Sequence, residues 1–160
     1  MGVAQQGVNA FVGHAMGATV PFAMETVFSY WEPQPDGRTL SKIDLIREMQ
    51  AAGYFVLLFF VGLASADLSV LRVMTRVETG GHGVDEPTLR RRFPKTQKAI
   101  SEAMSVADAA ILTDNSRDPG QAFTVCKVQL GVASLFDVRR LTKPPSSLIR
   151  SWLDVVAPFS

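Results

Sequence analysis

The 160-residue chain has little of several features that define common protein classes. It holds one cysteine, Cys126, so no disulfide can form within it, and a small buried thiol in a reducing cytoplasm is the expected state. The formal net charge is +1, which gives no overall field favouring nucleic acid or a membrane. The longest apolar run, residues 55–66, is shorter than the roughly 20 residues that cross a bilayer. We therefore expect a single-domain, soluble, cytoplasmic protein.

Groups that bind metals are also sparse. The two histidines, His14 and His82, are far apart, and no Cys or carboxylate stands near His82 at the spacing of a metal site. The sequence therefore predicts no metal site, and it predicts that His82 hydrogen-bonds across its turn. The N-terminus is small and apolar but has no basic segment, so it does not resemble a signal peptide.

What is present is an alternation of apolar strands and amphipathic helices. The patterns predict strands over residues 22–29, 55–63, 109–113 and 123–128, and helices over residues 42–52, 65–79 and 86–106. A last helix begins at Ser147, with Leu148, Trp152 and Val155 as its apolar face. This order predicts an α/β fold, specifically a three-layer sandwich with a mainly parallel sheet.

Positive charge is concentrated between residues 72 and 98. This segment has seven Lys and Arg residues against three acids, a formal charge of +4, so the rest of the chain is net acidic. Helical phase directs Arg91 to solvent and places Arg90 and Arg92 beside the apolar stripe. Such a cluster favours a phosphate-bearing small-molecule ligand, although a solvated helix face would have the same composition.

Several separated motifs then occur in a fixed order. Glu-Thr-x-x-Ser stands at Glu25, Thr26 and Ser29, and Asp-Asn-Ser stands at residues 114–116. Between them, Arg-Val-x-x-Arg-Val-x-x-Gly-Gly-His-x-Val is matched at Arg72, Val73, Arg76, Val77, Gly80, Gly81, His82 and Val84, followed by Arg92-Phe93. Over residues 20–128 the chain resembles the zeta-toxin family of P-loop kinases, with Asp85 and Phe93 replacing a Pro and a Tyr of the family.

The resemblance implies a role for each motif. Arg76 and Arg92 would be catalytic arginines of a lid that neutralises the phosphoryl group in transfer. The implied acceptor-binding residues are Glu25, Thr26, Ser29, Arg72 and His82. The implied nucleotide-side residues are Asp114, Asn115 and Ser116. The family uses ATP and Mg²⁺ and phosphorylates a small hydroxyl acceptor such as UDP-N-acetylglucosamine; an antitoxin is a further implied partner.

The chain nevertheless contains no Gly-x-x-x-x-Gly-Lys-Ser/Thr, the Walker A loop that holds the nucleotide phosphates in such kinases. The family's first strand and its acidic catalytic residue also have no counterpart. We therefore expect a P-loop kinase-like domain with residues 1–19 poorly matched, residues 129–160 as a C-terminal extension, and no kinase activity. A non-catalytic binding module with a basic lid and an unrelated α/β domain are the alternatives.

The missing strand has a structural consequence. Residues 55–63 have no polar alternation, which is typical of a strand covered on both faces. The Ala- and Gly-rich residues 1–18 are poor strand formers and cannot easily replace the missing neighbour. We therefore expect an open sheet edge and a tendency to self-associate.

Overall fold

Five helices and two small sheets form from residues 3–37 and 39–159, the part of the chain that the computed structural model describes. The helices are α1 (Val3–Ala18), α2 (Ile43–Ala51), α3 (Ala66–Glu78), α4 (Glu86–Val106) and α5 (Ser147–Val156). The strands are β1 (Trp31–Pro33), β2 (Thr39–Ser41), β3 (Leu57–Gly62), β4 (Ala109–Asp114), β5 (Thr124–Leu130) and β6 (Ala133–Asp137). None of these helices is both long enough and apolar enough to cross a membrane.

The main sheet has the strand order β3-β4-β5-β6, and β1 pairs with β2 in a separate hairpin. Only β3 and β4 are parallel; β4–β5 and β5–β6 are antiparallel. The predicted α/β class is confirmed, but the expected mainly parallel sheet is wrong. Short connections over residues 115–123 and 131–132 return the chain directly beside the strand it has left, and a direct return forces antiparallel pairing.

One face of this sheet carries the hydrophobic core. α4 contacts α2, α3 and α5, and buried side chains from α2, α4 and α5 pack on the sheet. Trp152 of α5 lies so close to Gly62 that a Cβ on Gly62 would meet its Cζ2 atom at 2.1 Å. The principal buried core residues are Ile46, Leu58, Ile100, Met104, Ala110, Leu112, Cys126, Trp152, Leu153 and Val156.

The opposite face of β3 is open. Leu57, Phe59 and Val61 retain 52%, 55% and 40% of their surface, whereas Leu58 retains 8%. The expected three-layer sandwich is therefore corrected: over the described residues, β3 is covered on one face only. The prediction was wrong because the apolar composition of residues 55–63 shows that both faces of the strand could be buried. It does not show whether another element packs on each face.

Residues 22–29, predicted to be a strand, belong to neither sheet. Their burial alternates with a period of two up to Phe28, as it would in a strand, and Phe28 packs against the core. No described strand lies beside them to form a ladder. Residues 22–28 therefore have the alternating side-chain burial of a strand but not the backbone hydrogen bonds of a sheet.

Two helices differ in detail from their predictions. α4 remains a single helix through Pro94, which the sequence suggested could divide it. In α5 the buried residues are Ile149, Trp152, Leu153 and Val156, so Leu148 and Val155 are exposed and the predicted apolar face was wrong by about one residue. The predicted Ser65 cap of α3 is confirmed, since its Oγ accepts a hydrogen bond from the Leu68 amide.

Candidate functional site

The turn after β4 is fixed by its own side chains. Asp114 is buried, and its carboxylate accepts hydrogen bonds from the Ser116 amide at 2.8 Å and from Arg117 Nε at 3.0 Å. Ser116 Oγ in turn accepts from the Ala64 amide at 2.7 Å, which joins this turn to the chain that leaves β3. The predicted nucleotide-side residues Asp114 and Ser116 therefore hold the carboxyl ends of the parallel pair together.

Arg72 brings the basic helices to this turn. It lies in the middle of α3, and its guanidinium donates a hydrogen bond to the carbonyl oxygen of Asn115. A residue predicted to bind the acceptor and a residue predicted to face the nucleotide are thus in direct contact. They meet at the carboxyl ends of β3 and β4, the edge where open α/β sheets bind their ligands.

The Gly-Gly-His turn after α3 is built around Arg76. Arg76 Nη2 donates to the carbonyl oxygen of His82 at 2.8 Å, and the Gly81 amide donates to the Arg76 carbonyl oxygen at 2.8 Å. Gly80 has a φ of +89°, and a Cβ on Gly81 would lie 2.5 Å from Arg76 Cγ, so the two glycines are sterically required. In this conformation Arg76 stabilises the turn through its hydrogen bond to His82. Its predicted role as a lid arginine stays a prediction.

The three consecutive arginines of α4 have separate surroundings. Arg90 pairs with Asp67 at 2.7 Å and Glu86 at 2.8 Å, which ties α4 to the first turn of α3. Arg91 is exposed and reaches only as far as the Thr88 hydroxyl, in agreement with its predicted direction to solvent. Arg92 is also exposed, and it lies one helical turn before Thr96, a residue that lines the groove described next.

A groove of about 950 Å³ separates β3 from residues 22–28. Glu25 and Thr26, both predicted acceptor-binding residues, line this groove, and Ser29 follows just outside it. Its floor comes from α2 and α4, and Lys42 and Glu25 are the charged side chains among its described lining residues. The predicted site residues thus fall into two groups, one along the groove and one around the strand-end turn.

No described residues form a metal site. Within residues 3–37 and 39–159, no cluster of three or more His, Cys, Asp or Glu side chains could hold an ion. His82 is exposed and takes part through its backbone carbonyl oxygen. Burial, followed by the negative charge of Asp114, raises the pKa of the Cys126 thiol to about 11, so this residue is a protonated core side chain as predicted.

A buried ionic cluster at the β6 edge of the sheet was not predicted. Asp137, at the end of β6, is fully buried and pairs with Lys127 at 3.3 Å and with Arg139 at 2.6 Å. Arg139 also contacts Asp154 of α5 at 2.7 Å and donates to the Ala157 carbonyl oxygen at 2.8 Å. Burial would raise the pKa of Asp137, but hydrogen bonds from Arg139 outweigh it and lower the pKa to about 2.

The signal for this cluster was a lysine inside an otherwise apolar strand, Val-Cys-Lys-Val, followed ten residues later by Asp137. Because a buried lysine requires a counter-charge, Lys127 alone could have suggested an acidic partner on the neighbouring strand. Each charge in the cluster has an opposite charge beside it, because Lys127 and Arg139 both pair with Asp137 and Arg139 also pairs with Asp154, so the arrangement acts as a structural anchor.

Comparisons with known proteins identified no relative of this chain. No protein-family model, no curated protein and no solved structure matches the chain. The resemblance to the zeta-toxin family therefore remains a prediction that rests on the sequence motifs alone.

Proposed function

We propose that this domain binds a phosphate-bearing small molecule, of the class of nucleotides and UDP-amino sugars, on a zeta-toxin-like kinase scaffold in the cytoplasm. In such a scaffold the ATP γ-phosphate moves to a hydroxyl group of the acceptor. This chain would bind without transferring phosphate, because its sequence contains no Walker A loop of backbone amides and lysine to hold the β- and γ-phosphates.

The contact between Arg72 and Asn115 is the observation that carries the proposal. It holds Arg72, the first cation of the basic segment of residues 72–98, against the carboxyl ends of a parallel strand pair. Guanidinium groups are suited to phosphate because they offer planar pairs of N–H donors with a permanent charge. Arg90 is neutralised by Asp67 and Glu86, so Arg72, Arg76 and Arg92 are the arginines proposed to meet the ligand.

Titration calorimetry with UDP-N-acetylglucosamine and with Mg-ATP tests the binding. We expect Arg72→Gln and Arg92→Gln each to weaken binding about tenfold, the loss typical of one charge-assisted hydrogen bond. Arg91→Gln is the matched control, because it removes the same charge from the same segment on the solvent side. Equal weakening by all three variants would indicate a diffuse field, and no binding by the unaltered chain at millimolar ligand would contradict the proposal.

A kinase assay tests the second half of the proposal. We expect no ATP-dependent phosphorylation of UDP-N-acetylglucosamine or of other small hydroxyl acceptors. Loss of preorganised phosphate contacts should cost factors of about 10³ or more in rate. Clear turnover by the purified chain would show that other groups replace the loop.

A second candidate function is a non-catalytic interaction module. The observation that favours it is the open face and edge of β3, where Leu57, Phe59 and Val61 are each at least 40% exposed. Large exposed apolar patches on small domains commonly mark binding surfaces. The function would then be measured as self-association through this surface, or as binding of an antitoxin, and not as binding of a small-molecule ligand.

A further inference from the structure

The edge of β3 directs unpaired backbone groups into the groove. The carbonyl oxygens of Val56 and Gly62 accept hydrogen bonds from the Ala109 and Asn115 amides, so the even-numbered residues of this strand point toward β4. Backbone groups alternate in direction along a strand, and Leu57, Phe59 and Val61 therefore point their N–H and C=O groups away from β4. No described strand pairs with this edge.

The opposite wall of the groove is also strand-like. In residues 22–28, Ala23, Glu25 and Val27 are exposed while the residues between them are partly buried. The same alternation occurs in β3, where Leu57, Phe59 and Val61 are the exposed set. Both walls thus have the pleated side-chain pattern of a sheet, with the groove between them.

The floor and size of the groove fit one polypeptide strand. Leu45, Ile46 and Met49 of α2 and Ile100 of α4 form an apolar floor. A strand of six residues occupies a slab about 20 Å long, 4.8 Å wide and 10 Å thick, or about 950 Å³. The groove has a volume of about 950 Å³ and is lined by residues 55–61, which include all of β3 except Gly62.

We propose that this groove binds a single extended, uncharged and mainly apolar segment of about six residues from a partner polypeptide, which completes the sheet between β3 and residues 22–28. Main-chain hydrogen bonds to Leu57, Phe59 and Val61 would hold it, as in other cases of strand addition. Side chains facing the floor must be apolar.

The groove shares Glu25 and Thr26 with the predicted acceptor site, but the main-chain contacts proposed here lie on β3 and not on the strand-end turn where Arg72 contacts Asn115. The binding therefore does not depend on the proposed phosphate ligand.

The geometry argues against a second copy of this chain as the occupant. An edge-to-edge dimer would bring the partner's β3 together with β4 behind it, and residues 22–28 already occupy the position next to the groove. A free segment with no neighbouring strand has no such conflict. The groove therefore selects an isolated strand over the edge of a second sheet.

A fluorescent peptide of sequence Lys-Thr-Val-Ile-Val-Val-Thr-Lys serves as the probe, with fluorescence anisotropy as the readout. The matched control peptide has the same side chains but N-methyl groups on alternate residues, which block one row of hydrogen bonds. We expect the unmodified peptide to bind at least tenfold more tightly than the N-methylated one. No binding at millimolar protein, or equal binding of both peptides, would overturn the proposal.

Two variants of the protein locate the site. Phe59→Pro removes an amide that points into the groove and leaves the β4 ladder intact, whereas Phe59→Thr keeps the amide and the preference for strand. We expect Phe59→Pro to lose at least tenfold in peptide affinity and Phe59→Thr to lose less than threefold. UDP-N-acetylglucosamine binding should not change in either variant, which separates this test from that of the proposed function.

Hydrogen exchange gives a readout that needs no variant. We expect the amides of Leu57, Phe59 and Val61 to exchange rapidly in the free protein and to become at least tenfold slower with the peptide. Slow exchange of these amides in a dilute, peptide-free monomer would show that the chain fills its own groove. Slow exchange that appears only in a dimer seen by light scattering would show a second copy there, and either result would overturn the proposal.

Discussion

The two edges of the main sheet are built differently. At the far edge, β6 is short, its pairing with β5 is interrupted by a bulge, and it ends at the buried cluster of Asp137 and Arg139. At the near edge, β3 has regular pairing, six apolar or glycine residues and exposed side chains at Leu57 and Phe59. Short, bulged strands ending in charge resist further pairing, whereas long flat apolar strands invite it. The comparison indicates that β6 resists further pairing, and it supports the proposal that β3 is a binding edge.

The largest expected effect tests whether the β6 edge depends on its ionic cluster. Asp137→Asn keeps the shape of the side chain but leaves Lys127 buried without a counter-charge and leaves Arg139 with only the half-exposed Asp154. We expect a loss of about 3–5 kcal/mol in the free energy of unfolding, measured with urea. Asp154→Asn is the control, because Asp154 also pairs with Arg139 but its side chain is 52% exposed, and its loss should be under about 1 kcal/mol. Similar losses in both variants would show that Asp137 is not the anchor.

A pair of adjacent leucines tests whether the two faces of β3 differ in energy. Leu58→Ala opens a cavity in the core and should cost about 2–5 kcal/mol, since Leu58 is 8% exposed. Leu57→Ala should cost under about 1 kcal/mol, because Leu57 is 52% exposed on the uncovered face. Thermal unfolding of both variants gives the difference. Equal destabilisation would mean that the outer face is covered in solution.

Acid should weaken the β6 edge in a defined range of pH. The pKa of Asp137 is lowered to about 2 in the folded protein from an ordinary value of 3.8, so the unfolded chain takes up the proton first. Its contribution is complete above the ordinary value and is lost as the pH falls from about 4 to about 2, by roughly 2 kcal/mol. We expect the melting temperatures of the unaltered chain and Asp137→Asn to converge over this range. A constant difference would contradict the assignment.

The smallest expected effect on stability tests the exposed side-chain face of β3, which is distinct from its backbone edge in the groove. Val61→Lys places a charge on the exposed side of β3, where Val61 is 40% exposed. We expect less self-association by light scattering and a change of under about 0.5 kcal/mol in stability. Val132→Lys, in the exposed turn between β5 and β6, is the control and should leave association unchanged. If both substitutions reduce association equally, net charge and not the exposed face of β3 is responsible.

The sequence by itself determined most of the local structure. Periodicity and capping residues predicted α3, α4, β4 and β5 to within about two residues, because these segments carry strong signals such as the Ser65 cap. The resemblance assigned Arg72 to the acceptor side and Asn115 to the nucleotide side of a site, and their direct contact is known only from the structure. Residues 114–116 form an Asx-type turn, which an Asp-Asn-Ser sequence favours by itself.

Only the tertiary structure decided which strand pairs with which. The antiparallel course of β5 and β6, the buried partners of Lys127, and the absence of a ladder beside residues 22–28 depend on contacts between distant segments. The spacing of apolar residues in the sequence shows which face of a strand or helix is apolar. The pairing of a strand depends on which other segment the fold brings beside it. For that reason the same apolar composition that predicted a doubly covered strand in β3 is found, after folding, along one wall of an open groove.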